Sequence, residues 1–488
     1  MKVLMVDCSM INNKTSSPHL GLAYIASQIK DFVDEIYTEG FYLNEGIKFS
    51  SLSDFLKAEQ SFIQKIVNCS KSYDILMMST TYATFSRVIT ISNAVKKVYP
   101  NILVIVGGPH ISFLIQQEFN FVDQYCQMFD IIVEGEGEKT AVEMFLHIKQ
   151  GKSVLIPGVT TRLDGHLQKC RSAPAIKNLD NIKEPAWDIF ELSQYADYLR
   201  VLGSRGCIFK CTFCDTKKQW PNFRFRSAIN VFKELKNNVE RYGINTFRFV
   251  DPTFTAYPNL KELCQLIVDS QLNISFVAYA HVKTVNSKKI KYLKKAGCTA
   301  LYYGIESGSD LILNGISKNS DVSEIIQAVN LTQEEGIKAV GSFILGLPKD
   351  TPETMMHTIN FAKKLNCDIY SWHSYMPSLF DIVNDKNVKN YFDWNNLKLD
   401  FPKELIDEAL ESSQYKYLLD RHMITRYCQY GKREITSYPY HYSKAPNISE
   451  VIEAMKIAIA ETTMKKKGAV DAVESLESFL EQQKGKSP

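Results

Sequence analysis

The stretch Gly203-Ser204-Arg205-Gly206-Cys207-Ile208-Phe209-Lys210-Cys211-Thr212-Phe213-Cys214 sets three cysteines at CxxxCxxC spacing just after an apolar run. Thiolates this close along a chain share a ligand. A structural zinc site takes four protein ligands, so three thiolates on one loop leave one position of a metal, or one iron of a cluster, free for something else. Spacing alone does not name the metal.

The rest of the chain bounds the answer. At 488 residues it exceeds one typical core and predicts about three domains. With 45% hydrophobic and 23% charged residues it reads as globular throughout, and its net charge of +3 is spread rather than blocked. That leaves no electrostatic footprint for nucleic acid, and the basic run Lys465-Lys466-Lys467 reads as a solvated helix face. Eleven cysteines without a regular framework fit a reducing compartment. The first residues are too briefly apolar for a signal peptide, and no run reaches membrane-spanning length, which predicts a soluble cytoplasmic protein.

Upstream of the cysteine loop, residues 1–150 alternate short apolar runs with amphipathic ones. Strands are expected at Val3–Val6, Ile75–Met78, Leu103–Val106 and Ile131–Val133, and helices at Leu20–Lys30, Phe55–Val67, Val88–Val98 and Thr140–Ile148. That alternation predicts a Rossmann-like, doubly wound parallel sheet of the α/β class. Ligands of such sheets lie at the carboxyl ends of the strands, which here carry Ser79-Thr80-Thr81, Gly107-Gly108-Pro109-His110 and Glu134-Gly135-Glu136-Gly137-Glu138. No GxGxxG follows the first strand, so a nicotinamide or flavin dinucleotide is not expected. Residues 151–197 break the pattern into a small hairpin near Val159–Arg162 and Gln168, and then an irregular connector through Pro185-Ala186-Trp187-Asp188.

Downstream, residues 198–380 alternate again. Strands are expected at Thr246–Val250, Ile274–Ala278, Ala300–Gly304, Ala339–Leu345 and Ile369–His373, and helices at Ile229–Tyr242, Leu260–Ser270, Lys288–Ala296, Glu324–Glu335 and Pro352–Leu365. With a strand ending near Arg205 they make six βα units, a partial (β/α)6 TIM-type barrel whose chemistry belongs at the strand carboxyl ends. Those ends supply the three cysteines, Asp251 with Thr253, Tyr279 with His281, Glu306 with Ser307, Gly346, and His373 with Tyr375. Any one of them alone reads as a helix cap or a satisfied core residue; their shared edge is what singles them out. From 381 to 488 aromatics accumulate, among them Tyr391, Trp394, Tyr415, Tyr438 and His441. Helices at Lys403–Ile424, Ser449–Thr463 and Ala469–Gln482 predict a mainly helical cap.

Taken together, Pro18–Ala26, VGGPH at Val106–His110, VEGEGE at Val133–Glu138, RGCxFxCxFC at Arg205–Cys214, VDPTF at Val250–Phe254, GIESG at Gly304–Gly308 and GSFILGLP at Gly341–Pro348 resemble the cobalamin-dependent radical S-adenosylmethionine enzymes. In these enzymes a cobalamin-binding domain precedes a radical S-adenosylmethionine barrel, and the likeness covers about residues 1–380. It implies that Cys207, Cys211 and Cys214 hold three irons of a 4Fe-4S cluster whose fourth iron chelates S-adenosylmethionine. It further implies that Phe213, Asp251, Thr253, Glu306, Ser307, Gly341 and Gly346 surround that cofactor. Ser79, Thr80, Thr81, Gly107, Gly108, His110, Glu134 and Glu136 would line the cobalamin site. The loop Asp7-Cys8-Ser9-Met10 lacks the DxHxxG histidine of mutase-type domains, so no such histidine is expected beneath cobalt. Pro348-Lys349-Asp350-Thr351 and Tyr375-Met376-Pro377 depart from the family pattern, which leaves Asp350 as a helix cap.

The implied activity is methyl transfer from methylcobalamin to an unactivated carbon, or phosphorus, of a small-molecule or peptide substrate after hydrogen abstraction by a deoxyadenosyl radical. An external donor such as flavodoxin or ferredoxin would supply electrons. Two alternatives stand beside it: an oxidative cyclase or ring-rearranging enzyme with the same cofactors, and a non-catalytic corrin or metal sensor. The sensor would need a fourth thiolate such as Cys264 or Cys298, both expected inside helices. No catalytic side chain is named by the sequence.

Overall fold

The computed structural model describes residues 1–375 apart from 13–15, 44–51, 82–83, 118, 120–121 and 124–125, together with positions 450, 451, 454, 457, 458, 461 and 462. These fall into two compact units. The first is residues 1–177 with 181–196; the second is 178–180 with 197–375 and the described positions beyond 449.

The first unit is a seven-stranded sheet in the order β2-β1-β3-β4-β5-β6-β7. Its strands are β1 (Lys2–Asn12), β2 (Glu35–Leu43), β3 (Ile75–Ser79), β4 (Leu103–Gly107), β5 (Ile131–Val133), β6 (Val159–Leu163) and β7 (His166–Lys169). The first five pair in parallel; β6 and β7 add an antiparallel hairpin at the edge. Helices α1 (Leu20–Ile29), α2 (Leu52–Ser70), α3 (Phe85–Val98), α4 (Pro109–Gln117) and α5 (Gly137–Lys149) supply the crossovers. Continuous apolar runs are what a sheet covered on both faces requires, and Leu4, Val6, Leu76, Val104 and Val106 meet Val88, Ile91 and Val95 in one core.

Two elements go beyond the periodicity. β2 reads Glu-Ile-Tyr-Thr-Glu-Gly-Phe-Tyr-Leu, an edge strand with exposed polar positions that no apolar run announces. α4 begins directly at Pro109, so the VGGPH segment is a strand end and a helix start with no loop between them, proline taking the first helical position. The hairpin extends the sheet well past residue 150, and the connector lies on the same unit. There Ala186 N–H donates to Ala23 O at 3.0 Å, Ala196 N–H donates to Ser16 O at 2.9 Å, and Trp187 is fully buried.

The second unit is a six-stranded all-parallel sheet in sequential order. Its strands are β8 (Leu199–Val201), β11 (Thr246–Phe249), β12 (Ser275–Ala280), β13 (Cys298–Glu306), β14 (Lys338–Leu345) and β15 (Ile369–Ser374). The first barrel strand therefore stops at Val201 and does not run on to Arg205. Ser204–Arg205 (β9) instead pairs antiparallel with Arg224–Phe225 (β10), forming a small clasp around the cysteine loop. Helices α6 (Thr216–Gln219), α7 (Ala228–Tyr242), α8 (Leu260–Asp269), α9 (Ser287–Lys295), α10 (Asp310–Gly315), α11 (Val322–Glu334) and α12 (Pro352–Leu365) follow the strands. An Asp321 capping box starts α11 and a Thr351 capping box starts α12.

The described positions between 450 and 462 are helical. They pack on the last strand and helix: Trp372 Nε1 donates to Thr462 Oγ1 at 3.2 Å, and Lys363 pairs with Glu461. The tyrosines and His441 expected in a cap, and the helices expected at Lys403–Ile424 and Ala469–Gln482, lie outside the described residues. Among the described residues no helix is long and apolar enough to cross a membrane.

Candidate active site at the cysteine loop

The loop is fixed before its first cysteine. Gly203 N–H donates to Asp251 Oδ2 at 3.0 Å, and Ser204 Oγ donates to Asp251 Oδ1 at 2.6 Å. Arg226 N–H donates to Gly203 O at 2.8 Å, and its Nη1 to Leu202 O at 3.0 Å. Asp251 is wholly buried, and that burial pushes its carboxyl up to about 6 against the pull of these bonds. Its two oxygens thus hold the loop. Gly206 then turns the chain at φ +85°, where a Cβ would lie 2.5 Å from Asn222 O. Only glycine fits that turn.

All three cysteines are half-buried. Cys207 Sγ lies 3.4 Å from Thr253 Oγ1, and Cys214 Sγ donates to Thr216 Oγ1 at 3.3 Å. Burial pushes the Cys211 thiol up to about 11; Lys318 pulls it down, while Glu306, Cys214 and Cys207 push it further up. That mutual influence brings the three sulfurs within electrostatic reach of one another. Phe213 packs with Ile312, Ile316 and Leu347, and Thr212 N–H donates to Ile316 O at 2.9 Å.

Lys318 is the residue that the strand-end reading missed. Its Nζ pairs with Glu306 Oε1 at 2.7 Å, both side chains being buried, and sits 5.9 Å over the Phe213 ring. Burial works against its charge, but Glu306 and the cysteines Cys211 and Cys214 raise its pKa on balance. Two left-handed residues, Ser317 (φ 53°) and Asn319 (φ 57°), flank it and turn it inward. Glu306 is itself left-handed, at φ 68°, just past a register shift in β13. Gly304 leaves room for the pair, since a Cβ there would lie 2.5 Å from Glu306 Oε1 and 2.9 Å from Lys318 Nζ. No local pattern distinguishes Lys318 from a surface lysine. His281 closes the set: its ring stacks on Phe209 of the cysteine loop at 3.7 Å, and Nε2 meets Lys318 O at 3.1 Å. Burial lowers its pKa to about 4 and keeps it neutral.

Other expected residues are turned elsewhere. Ser307 Oγ lies 3.0 Å from Thr358 Oγ1 and accepts from Ser309 N–H, so it locks β13 to α12. The space beside Gly341 is taken by protein, with Cys367 Sγ 2.8 Å from a Cβ built there and Ile305 at 3.1 Å. Gly346 turns at φ +82° against Val451, and Asp350 Oδ2 accepts from the N–H groups of Gly346 and Leu347 at 3.1 and 2.9 Å. Asp350 therefore caps this turn.

In the first unit the order β2-β1-β3-β4-β5 reverses direction between β1 and β3, the switch point where doubly wound sheets hold their ligands. Thr80 is fully buried and stitches the strand ends together: its Oγ1 donates to Gly107 O at 2.9 Å and accepts from Ile111 N–H at 3.0 Å. Gly108, at φ +102°, packs so tightly on it that a Cβ would lie 2.5 Å from Thr80 O. Thr81 bonds Thr84 at the start of α3, Glu134 accepts from Thr160 and faces Lys169, and Glu136 accepts from Ile176 N–H. His110 is buried edge-on to Phe85, and burial lowers its pKa to about 4. Ser79, Gly107 and Gly108 remain partly open and Gly135 is exposed, so the carboxyl ends of β3, β4 and β5 present small groups.

Residues 201–362 match the Radical SAM superfamily. An uncharacterized methyltransferase of Pyrococcus horikoshii is 33% identical over 363 residues, spanning 72% of this chain and 75% of its own. The anaerobic magnesium-protoporphyrin IX monomethyl ester cyclase of Rubrivivax gelatinosus is 27% identical over 72% of this chain and 64% of its own. The structure of the radical S-adenosylmethionine methyltransferase TsrM from Kitasatospora setae, with cobalamin and a [4Fe-4S] cluster bound, is similar over 78% of this chain and 77% of its own. The TM-score is 0.57 at 16% identity, a likeness of fold. The chain belongs to the Radical SAM superfamily.

The cofactors of a radical S-adenosylmethionine enzyme are a 4Fe-4S cluster and S-adenosylmethionine, and the residues of the cysteine loop fit them. Among the described residues no three His, Cys, Asp or Glu side chains are gathered to hold a single metal ion. Three thiols on one loop suit separate irons of a cluster with one iron left open. The thiols suggested as a fourth ligand are both buried. Cys264 is buried in α8 with its thiol pushed up to about 12, and Cys298 opens strand β13, not a helix, with its thiol pushed higher still. The glycines at the carboxyl ends of β4 and β5 leave the backbone there open to close approach.

Proposed function

We propose that this enzyme is a methyltransferase that moves a methyl group from methylcobalamin to an unactivated carbon, or phosphorus, of a small-molecule substrate. When bound, the cluster and S-adenosylmethionine supply a deoxyadenosyl radical for hydrogen abstraction, and cobalamin supplies the methyl group. The chain's own work is to hold these groups in register and exclude water. Cys207, Cys211 and Cys214 would each hold an iron. Lys318, its charge kept by Glu306, is suited to the carboxylate of S-adenosylmethionine, and Thr253 to a polar group beside Cys207. Asp251 and Ser307 would act one layer out, by fixing the loop and the strand end. Ser79, Gly107 and Gly108 would border the corrin, with Thr80, Thr81, Glu134 and Glu136 holding the crevice open and His110 remaining neutral beneath it. An external electron donor of the flavodoxin or ferredoxin kind would reduce the cluster.

The observation that carries this reading is the pairing, in one chain, of an open three-thiol loop at a six-stranded barrel with small residues at the carboxyl ends of β3, β4 and β5 in a doubly wound sheet. The likeness to a curated methyltransferase at 33% identity supports methyl transfer over other outcomes. The 27% identity to a cyclase favours a second reading, in which the substrate radical closes a ring. Anaerobic turnover with S-adenosylmethionine labelled in its methyl group separates them. Label in the product supports methyl transfer, deoxyadenosine without label in the product supports the cyclase, and neither product removes the enzymatic reading.

A further inference from the structure

The barrel carries a second set of chemistry that the cofactors do not use. On its inner face Val277, Ala300, Tyr302, Val340 and Ile369 from the four neighbouring strands β12 to β15 converge, with Tyr279 packed on them. Parallel register puts Arg248 of β11 on this face beside Val277, and Arg200 of β8 directly beside Arg248. Arg248 Nη2 donates to Tyr279 Oη at 2.6 Å, and its guanidinium lies 5.3 and 5.4 Å from the Tyr279 and Tyr302 ring centres. Its electrostatic neighbours are the hydroxyls of Tyr279, Tyr302 and Tyr198. Among the described residues no carboxylate pairs with either arginine.

This arrangement is costly by itself. Each guanidinium is permanently charged and carries five donors, and like charges facing each other across strands repel. A half-buried charge persists where something compensates it. Tyr279 accepts from one nitrogen of Arg248, and the Tyr279 and Tyr302 rings flank its guanidinium, but neither contact neutralises the charge. Two residues beyond Tyr279, roughly 7 Å along the strand, stands His281, stacked on Phe209 of the cysteine loop. The arginine pair thus sits one step deeper in the barrel than the thiols.

We infer that Arg200 and Arg248 form an anion-binding subsite of the substrate chamber, and that the substrate carries an oxyanion, phosphoryl or carboxylate, clamped there with Tyr279 while another part of it faces the cofactors. Planar guanidinium forks match both groups bidentately. This rests on the reading of the barrel as the enzyme's substrate chamber, and it goes beyond that reading by naming a substrate class.

The test uses anaerobic holoenzyme and three probes of one shape: phenylphosphonate, benzoate and benzamide, titrated by calorimetry. One or both anions should bind and neutral benzamide should not; phenylphosphonate binding more tightly assigns a phosphoryl group, benzoate a carboxylate. Arg248→Gln and Arg200→Gln should each weaken the preferred anion by about tenfold or more. Arg248→Lys should fall between, and Arg241→Gln, on an exposed helix face, should change nothing. Iron content and melting temperature identify a variant that has failed to fold, in which case the lysine variant and Arg200→Gln carry the comparison. Equal binding of benzamide, unchanged affinity in the glutamine variants, or no saturable binding up to about 10 mM overturns the subsite. Deoxyadenosine formation, measured separately, reports on the enzymatic reading alone, so either can fail without the other.

Discussion

Asp251 ties both carboxylate oxygens to the start of the cysteine loop. Burial holds its carboxyl near 6 against an ordinary value of 3.8, so the folded state keeps the proton that the unfolded chain gives up. Below pH 4 both states are protonated and folding has no charge to bury. As pH rises to about 6 stability should fall by about 3 kcal/mol, then level off. Urea midpoints between pH 4.5 and 7 should show that decline in the metal-free wild type and not in Asp251→Asn. Lys318 gives a second expectation at this scale. Lys318→Met leaves Glu306 buried without its partner and should cost roughly 3–5 kcal/mol, while Lys318→Met with Glu306→Gln should recover part of it. Denaturant titration of the metal-free protein checks both. The strand-end list included Glu306, which pairs with Lys318, but Lys318 was invisible because its inward turn depends on two left-handed residues that follow no periodic pattern.

At the level of elements, two glycines separate the two cofactors' supports. Gly206→Ala forces a left-handed turn on an L-residue and drives a Cβ into Asn222 O, so iron per chain should drop while cobalamin retention stays as in wild type. Gly108→Ala meets Thr80 O at 2.5 Å and should do the reverse. Iron analysis and the absorbance of retained cobalamin, measured on each variant, test the crossed outcome; both losses in both variants would contradict it. Most strands and helices were legible because buried parallel strands read as apolar runs and their helices as 3.6-residue stripes. β2 was not, because Glu35, Thr38 and Glu39 break up its apolar run, although Thr38 and Glu39 are buried. The clasp of Ser204–Arg205 with Arg224–Phe225 was not either, because two-residue strands carry no periodicity.

Across the whole molecule, each unit has its own sheet and its own candidate cofactor support. Cys211→Ala should therefore lose iron and deoxyadenosine formation yet keep cobalamin, by metal analysis and product chromatography; loss of cobalamin as well would show that the two supports depend on each other. By itself the sequence determined the three-thiol loop, the α/β succession and the family, because ligand spacing and hydrophobic period are written locally along the chain. Only the tertiary structure decided what the polar residues do. It turned Asp251 to Gly203 and Ser204, filled the space at Gly341 with Cys367 and Ile305, brought Lys318 to Glu306, and set Arg200 beside Arg248. Those partnerships join residues from 12 to 48 positions apart. Strand register and burial fix them, and neither quantity exists until the sheet has closed around its core.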